Sequence, residues 1–205
     1  MIEAIDSGEN EFNDYSNWVE LLRDYREKEP LRYIDSNEVI KPQWPIQRVG
    51  QLLGAKAIIS TDVGQHQMWT AQFYPFSYPR QWITSGGLGT MGFGLPAAMG
   101  VARALKGTDK VSINFTGDGS ILMNIQELMT CVEYELPVIN IILNNNYLGM
   151  VRQWQTMFYE NRLSQTDLSA QPNFKMLVEA FGGLGYRVTT KEEFDVALKD
   201  AVEKK

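Results

Sequence analysis

Residues 111–146 read VSINFTGDGSILMNIQELMTCVEYELPVINIILNNN, and this stretch decides the fold. Residues 111–115 (VSINF) form a short run of strand character that breaks into TGDGS, a cluster of turn-forming Gly, Asp and Ser. Residues 121–134 then place Ile121, Ile125, Leu128, Met129 and Val132 on one helical face. Residues 137–143 (PVINIIL) are nearly continuously apolar, the pattern of a strand buried on both faces, and they end in NNN. Strand, helix and strand joined through polar turns predict a parallel pairing with the helix crossing one face of a sheet.

The same alternation extends outward. Upstream, residues 57–60 (AIIS) run into TDVGQH, and residues 81–84 (QWIT) run into SGGLG. Residues 94–105 read as a helix with Pro96 in its first turn, where the missing N–H has no helical partner to lose. Downstream, the pattern predicts a helix over 174–181, a strand over 186–189 and a last helix over 192–204. The expected fold class is therefore α/β, a parallel sheet with helices on both faces, without an internal repeat of fixed period. In open parallel sheets ligands bind beyond the carboxyl ends of the strands. Those ends read TDVGQH, SGGLG, TGDGS and NNN, so the functional site is expected there.

Residues 1–12 are acidic and polar and are expected to be poorly ordered. Tyr15, Trp18, Leu21, Leu22 and Tyr25 give residues 14–28 a helical stripe, which Pro30 ends. Pro42 and Pro45 are expected to keep the next stretch extended or turning, before a helix over 47–53. The expected organisation is an acidic N-terminal segment and linker helix over 1–45, then a domain over 46–205.

Composition narrows the chemistry. The 205 residues are 44% hydrophobic, enough for a real core, and carry a formal charge of −6. That charge argues against a nucleic-acid surface or an anionic membrane as partner. A single cysteine, Cys131, excludes a disulfide framework, and a single histidine, His66, excludes a multi-histidine metal centre. Any metal must be held by oxygen. No run of about 18 apolar residues and no basic-then-apolar start occurs, so neither a membrane span nor a signal peptide is expected, and the expected location is cytoplasmic.

Three motifs carry the chemistry. Gly87-Leu-Gly89-Thr-Met-Gly92 matches G-x-G-x-x-G, but a dinucleotide site also needs an acid about 20 residues on, after the next strand. The first acid after that strand is Asp118, inside another glycine turn, while Asp109 precedes the strand. The glycines then serve either a tight turn with close helix packing or the approach of a phosphate or cofactor to bare backbone. Gly117-Asp118-Gly119-Ser120 reads either as an ordinary turn with a serine cap or as an anion cradle whose Asp holds a hard cation. Asn144-Asn145-Asn146 favours the second reading. It closes the next strand, 24 residues (120–143) after Gly119, so helix and strand return it beside the GDG turn at the same sheet edge. A carboxylate, an amide oxygen and a backbone carbonyl are suitable Mg²⁺ ligands.

GDG, then 24 residues, then NN resembles the metal and cofactor motif of thiamine-diphosphate enzymes. VGQHQMW (63–69), TSGGLGTMGFGLPAAMG (84–100), GDGSILMNIQEL (117–128) and LNNNYLGMVRQWQ (143–155) together resemble the large catalytic subunit of acetolactate synthases over residues 30–190 or so. The resemblance implies that Asp118, the Asn145 side chain and the Tyr147 carbonyl bind Mg²⁺. It implies that Gly119 and Ser120 meet the diphosphate, with Gly64, Gln65 and His66 on the other side, and that Val63 and Gly117 also bind the cofactor. Gly89 and Met91 would hold the aminopyrimidine, with Met91 propping the cofactor in its bent form. Leu148, Gly149, Met150 and Val151 would line the cofactor, and Trp154 would stand at the substrate channel.

The implied reaction decarboxylates pyruvate and passes its two-carbon unit to a second 2-keto acid, in branched-chain amino-acid biosynthesis. In that family the activating glutamate lies on a pyrimidine-binding domain of a neighbouring subunit, FAD sits in a further domain, and a regulatory small subunit can be present. No catalytic acid or base is assigned within this chain. It is expected to be one domain of a longer protein, truncated before a last strand, and inactive as an acetolactate synthase by itself. Two other readings remain: a related thiamine-dependent carboligase or decarboxylase, and a non-catalytic module binding a nucleotide or a partner. Bland readings also remain for single residues. His66 could be a solvated loop histidine, Met91 and Met150 plain core methionines, and Trp154 and Phe158 a packing pair.

Overall fold

A computed structural model describes residues 14–205. The expectation for residues 1–12 lies outside the described residues. The chain forms two compact units, one reaching Ile34 and one spanning Asp35–Lys205. In the first, α1 (Ser16–Lys28) follows from the helical stripe, and none of its side chains is buried.

The second unit is built on four parallel strands, β1 (Ala57–Thr61), β2 (Trp82–Thr84), β3 (Val111–Gly117) and β4 (Val138–Leu143), in the order β2-β1-β3-β4. Its helices are α2 (Gln43–Leu53), α3 (Gln65–Phe73), α4 (Gly94–Ala104), α5 (Asp118–Ile121), α6 (Glu127–Glu133), α7 (Gly149–Phe158), α8 (Phe174–Ala180) and α9 (Lys191–Glu203). Among the described residues no helix is long and apolar enough to cross a membrane.

The period-two alternation of the strands assigns each side chain to a face. Ala57, Ile59, Val111, Ile113 and Phe115 pack with Ile46 and Val49 of α2 and Phe194 and Leu198 of α9, and Ile139, Ile141 and Leu143 join them. Val138 and Ile142 join the other cluster, formed by Leu95 of α4, Ile121 of α5 and Leu128 and Cys131 of α6. Both faces are covered, as the α/β reading requires.

Four expectations need correction. The helix expected over 47–53 starts at Gln43, because Pro45 sits in its first turn, where no helical N–H bond is lost. The helix expected over 121–134 is two, α5 and α6. The break holds Asn124, whose amide donates to the Gly92 carbonyl at 2.7 Å and whose carbonyl accepts the Glu127 N–H at 3.0 Å. The strand 137–143 is half-buried, because it stands at the sheet edge with β3 alone beside it. Residues 186–189 form no strand. The Thr189 N–H and hydroxyl both donate to the Glu193 carboxylate, and Thr190 completes a capping box on α9, so the segment gives its donors to the helix start.

Candidate functional site

The carboxyl ends of β1, β3 and β4 meet at one edge of the sheet. Past β1, Asp62 is fully buried. Its Oδ1 accepts the Gly94 N–H at 2.7 Å and its Oδ2 accepts the Thr116 hydroxyl at 2.6 Å. Its own N–H donates to the Phe115 carbonyl at 3.1 Å. Burial pushes the Asp62 carboxyl above the usual carboxylate range, against the pull of those hydrogen bonds. One side chain thus pins the first turn of α4 to β1 and β3, and with it the preceding loop that carries Gly89 and Met91.

Next comes Gly64 at φ +155°, a conformation that side chains rarely adopt. It turns the chain into α3 and buries His66, which is 7% exposed. A Cβ on Gly64 would lie 2.6 Å from the imidazole, and one on Gly117 3.0 Å, so both glycines make room for the ring. The reading of His66 as a solvated loop residue is therefore wrong. Its Nε2 has no hydrogen-bond partner within the protein. Burial lowers its pKa to about 4, so it is neutral at pH 7.

This has a measurable consequence. The folded-state pKa lies below the unfolded value, so His66 adds no penalty above about pH 6.5 and destabilises the fold progressively as pH falls toward 4. Lowering pH from 7.5 to 5.0 should remove about 2 kcal/mol of stability through this group. Denaturant unfolding of the chain and of His66→Leu at both pH values should show the variant losing less by that amount. Parallel pH dependences would remove the assignment.

Past β3, Asp118 is buried and opens α5. Its Oδ1 accepts the Gly119 N–H at 3.0 Å. Its Oδ2 accepts the Asn146 N–H at 2.7 Å and the Gln171 side-chain amide at 2.6 Å. The GDG and NNN turns are therefore in direct contact. Asn146 takes φ +61°, which asparagine tolerates, and its N–H also reaches Asn144 Oδ1 at 3.1 Å. Asn145 Oδ1 accepts the Tyr147 N–H at 3.0 Å. Ser120 donates its hydroxyl to the Val63 carbonyl at 3.1 Å, closing the gap to the β1 loop.

Most of the residues named from sequence are brought together. An added Cβ on Gly119 would lie 2.8 Å from Leu148, 3.0 Å from Leu168 and 3.9 Å from Met91. One on Gly89 would lie 3.9 Å from Val63. One on Gly149 would lie 2.1 Å from Gln65 and 2.9 Å from Asn145. Gln65, Asn145, Tyr147 and Gly149 also line a cleft of about 430 Å³ with Arg152, Gln153, Thr156 and Met157. The guanidinium of Arg152 stacks on the Tyr147 ring at 3.7 Å, and Gln65 donates to Gln153 at 2.9 Å. Met150 is half-buried at the start of α7. Val151 and Trp154 are exposed, and Trp154 packs edge-on against Phe158 at 6.3 Å, neither of them lining the cleft. Asp62, Arg152, Gln153 and Gln171 were not singled out from sequence. Asp62 closes a strand with TDVGQH and had a positional signal. Gln171 lies outside every motif and had none.

The donor set fits a hard divalent cation bound together with an anion. Among the described residues no three His, Cys, Asp or Glu side chains cluster, so a cation here would be held by the Asp118 carboxylate together with amide and backbone oxygens. The half-buried glycine turns at Gly64 and Gly119 leave room for phosphate oxygens to approach the backbone, and the buried His66 Nε2 beside them has no partner within the protein. These residues would bind and orient a ligand.

Residues 62–205 match the family model described as thiamine pyrophosphate enzyme, C-terminal TPP binding domain. The acetolactate synthase isozyme 3 large subunit of Escherichia coli K12 is 46% identical over 205 residues, 99% of this chain and 35% of that protein. The acetolactate synthase large subunit of Lactococcus lactis is 47% identical over 169 residues, 82% of this chain and 29% of that protein. Acetolactate synthase 1, chloroplastic, of Nicotiana tabacum is 44% identical over 193 residues, 91% of this chain and 29% of that protein. The chain spans about a third of the length of the curated relatives it matches.

Proposed function

We propose, from the premise that the chain belongs to the thiamine pyrophosphate enzyme family through its C-terminal TPP binding domain, that residues 46–205 bind thiamine diphosphate with Mg²⁺ for an acetolactate synthase. The observation that carries the reading is the contact between Asp118 and the Asn144–Asn146 turn at the carboxyl edge of the sheet. In this reading Asp118, Asn145 and the Tyr147 carbonyl hold the cation. Gly117, Gly119, Ser120, Gly64, Gln65 and His66 hold the diphosphate. Gly89 and Met91 face the pyrimidine, Val63, Leu148, Gly149, Met150 and Val151 line the cofactor, and Trp154 stands at the substrate entrance.

When bound, the cofactor supplies the carbon nucleophile that decarboxylates pyruvate and transfers the two-carbon unit to a second 2-keto acid. The chain's own residues bind the diphosphate, fix its orientation and screen the site from water. The activating glutamate and an FAD site would come from other domains, the glutamate from a neighbouring copy of the whole enzyme. A regulatory small subunit is a further partner, and the cytoplasm is the proposed location.

A thermal-shift experiment tests the reading. Thiamine diphosphate with Mg²⁺ at a hundredfold excess over Kd should stabilise the 205-residue chain by about 2.7 kcal/mol, a Tm rise of about 5–10 °C. Neither component alone should match it, and NAD should not. An equal shift with NAD, or no shift with both components, overturns the reading.

A further inference from the structure

We infer that Gln171 is a positioning residue for the cation-binding carboxylate, through a closed ring of side-chain and backbone hydrogen bonds. The ring starts at Asp118 Oδ2, which accepts the Asn146 N–H at 2.7 Å. The same N–H reaches Asn144 Oδ1 at 3.1 Å. The Asn144 amide nitrogen donates to Gln171 Oε1 at 2.8 Å. The Gln171 amide nitrogen returns to Asp118 Oδ2 at 2.6 Å. The orientation of the Gln171 amide is forced. A carboxylate only accepts, so Gln171 turns its nitrogen to Asp118 and its oxygen to Asn144.

The ring determines which oxygen is left for a cation. A carboxylate offers about four lone-pair positions. Both on Oδ2 are filled, by Asn146 and Gln171, and one on Oδ1 is filled by the Gly119 N–H. One position on Oδ1 remains. With Gln171 in place the carboxylate has a single rotation, and the free position is fixed relative to the Asn145–Tyr147 backbone. Without Gln171, Oδ2 keeps one bond and the carboxylate can swivel. Ligand-supporting partners of this kind are worth about 10–100-fold in metal affinity. The segment carrying Gln171 is itself laid along the second turn: the Leu168 N–H donates to the Asn146 carbonyl at 2.8 Å, and the Leu148 N–H to the Thr166 carbonyl at 2.9 Å. A residue 53 positions after Asp118 therefore takes part in its alignment.

The inference rests on the reading of Asp118 as a cation ligand, and two measurements separate the failures. The first needs no cofactor. Gln171→Met keeps the side-chain volume and removes both bonds. Amide hydrogen exchange at Asn146, followed by NMR in the 205-residue chain, should accelerate about tenfold, while Ile113 in β3 stays unchanged. Equal exchange at Asn146 overturns the ring. The second is calorimetric titration of Mg²⁺ in the presence of thiamine diphosphate. Gln171→Met should weaken Mg²⁺ about tenfold with the unliganded Tm unchanged. Asn144→Ala should do the same, and the double variant should lose no more than either alone, because each opens the same ring. Unchanged affinity in Gln171→Met, or losses that add, overturns the inference. A parent chain that takes up neither Mg²⁺ nor thiamine diphosphate overturns the functional reading instead, and the exchange at Asn146 still decides the ring.

Discussion

Asp118→Ala should abolish Mg²⁺-dependent binding of thiamine diphosphate, a loss of a hundredfold or more in titration calorimetry. Mg²⁺ gives up water reluctantly and takes few protein ligands, so the charge of each one counts heavily. Asp118 supplies the charge in this assignment, and among the described residues no cluster of three acidic, histidine or cysteine side chains offers a replacement. What remains after truncation is neutral: an asparagine amide and a backbone carbonyl. The same substitution also leaves the Gly119 and Asn146 N–H groups and the Gln171 amide without their acceptor. These bonds are half-buried, so each one lost costs about 0.5–1.5 kcal/mol and loosens the edge of the site. Asp118→Asn separates the two effects, since it keeps the shape and an acceptor oxygen while removing the charge. A folded Asp118→Asn chain with unchanged cation and cofactor affinity would sink the metal assignment.

The strand ends were legible in the sequence because glycine, aspartate and asparagine punctuate them, and punctuation is local. Asp118 and the asparagine turn could be placed side by side from one helix and one strand of intervening length. The interior of the sheet was less legible. VSINF reads as a mostly apolar run, yet Ser112, Asn114 and Thr116 form a buried polar row on the α4 side of β3. Ser112 donates to the Ala98 carbonyl at 2.8 Å and Asn114 to the Asn140 side chain at 2.9 Å. Periodicity reports which positions share a face, not which hydrogen-bond partner a fold will bring there. The break between α5 and α6 was hidden for the same reason, since Asn124 reaches Gly92 across 32 residues. Gln171 is the limiting case: its role exists only once three distant turns have been folded together.

That polar row makes Gly94 the position where a single methyl group should cost most. In Gly94→Ala the new Cβ would lie 2.4 Å from Asn114 Oδ1, 2.7 Å from the Asp62 backbone nitrogen and 2.8 Å from Asp62 Cγ. None of these can retreat freely. The Asp62 nitrogen is bonded to the Phe115 carbonyl, so moving it distorts the β1–β3 junction. Asn114 is held through its amide nitrogen by Asn140. Sliding α4 outward instead stretches the bond from the Gly94 N–H to Asp62 Oδ1, stranding a buried carboxyl oxygen. Overpacking at about 1–3 kcal/mol and a compromised buried hydrogen bond at about 1–3 kcal/mol together predict a loss of about 3–5 kcal/mol. For a chain of this size that is a Tm drop of about 10 °C. Gly100→Ala provides the internal contrast. It lies on the same helix, is exposed and has nothing within 4 Å of its added methyl. There the gain in helix propensity should stabilise by up to about 1 kcal/mol. The same chemical change, six residues apart, should therefore move Tm in opposite directions. The Gly94 variant should also bind thiamine diphosphate more weakly, because the loop carrying Gly89 and Met91 leads directly into that first turn of α4. A Tm within 1 °C of the parent for Gly94→Ala would mean that α4 is not held against Asp62 as described.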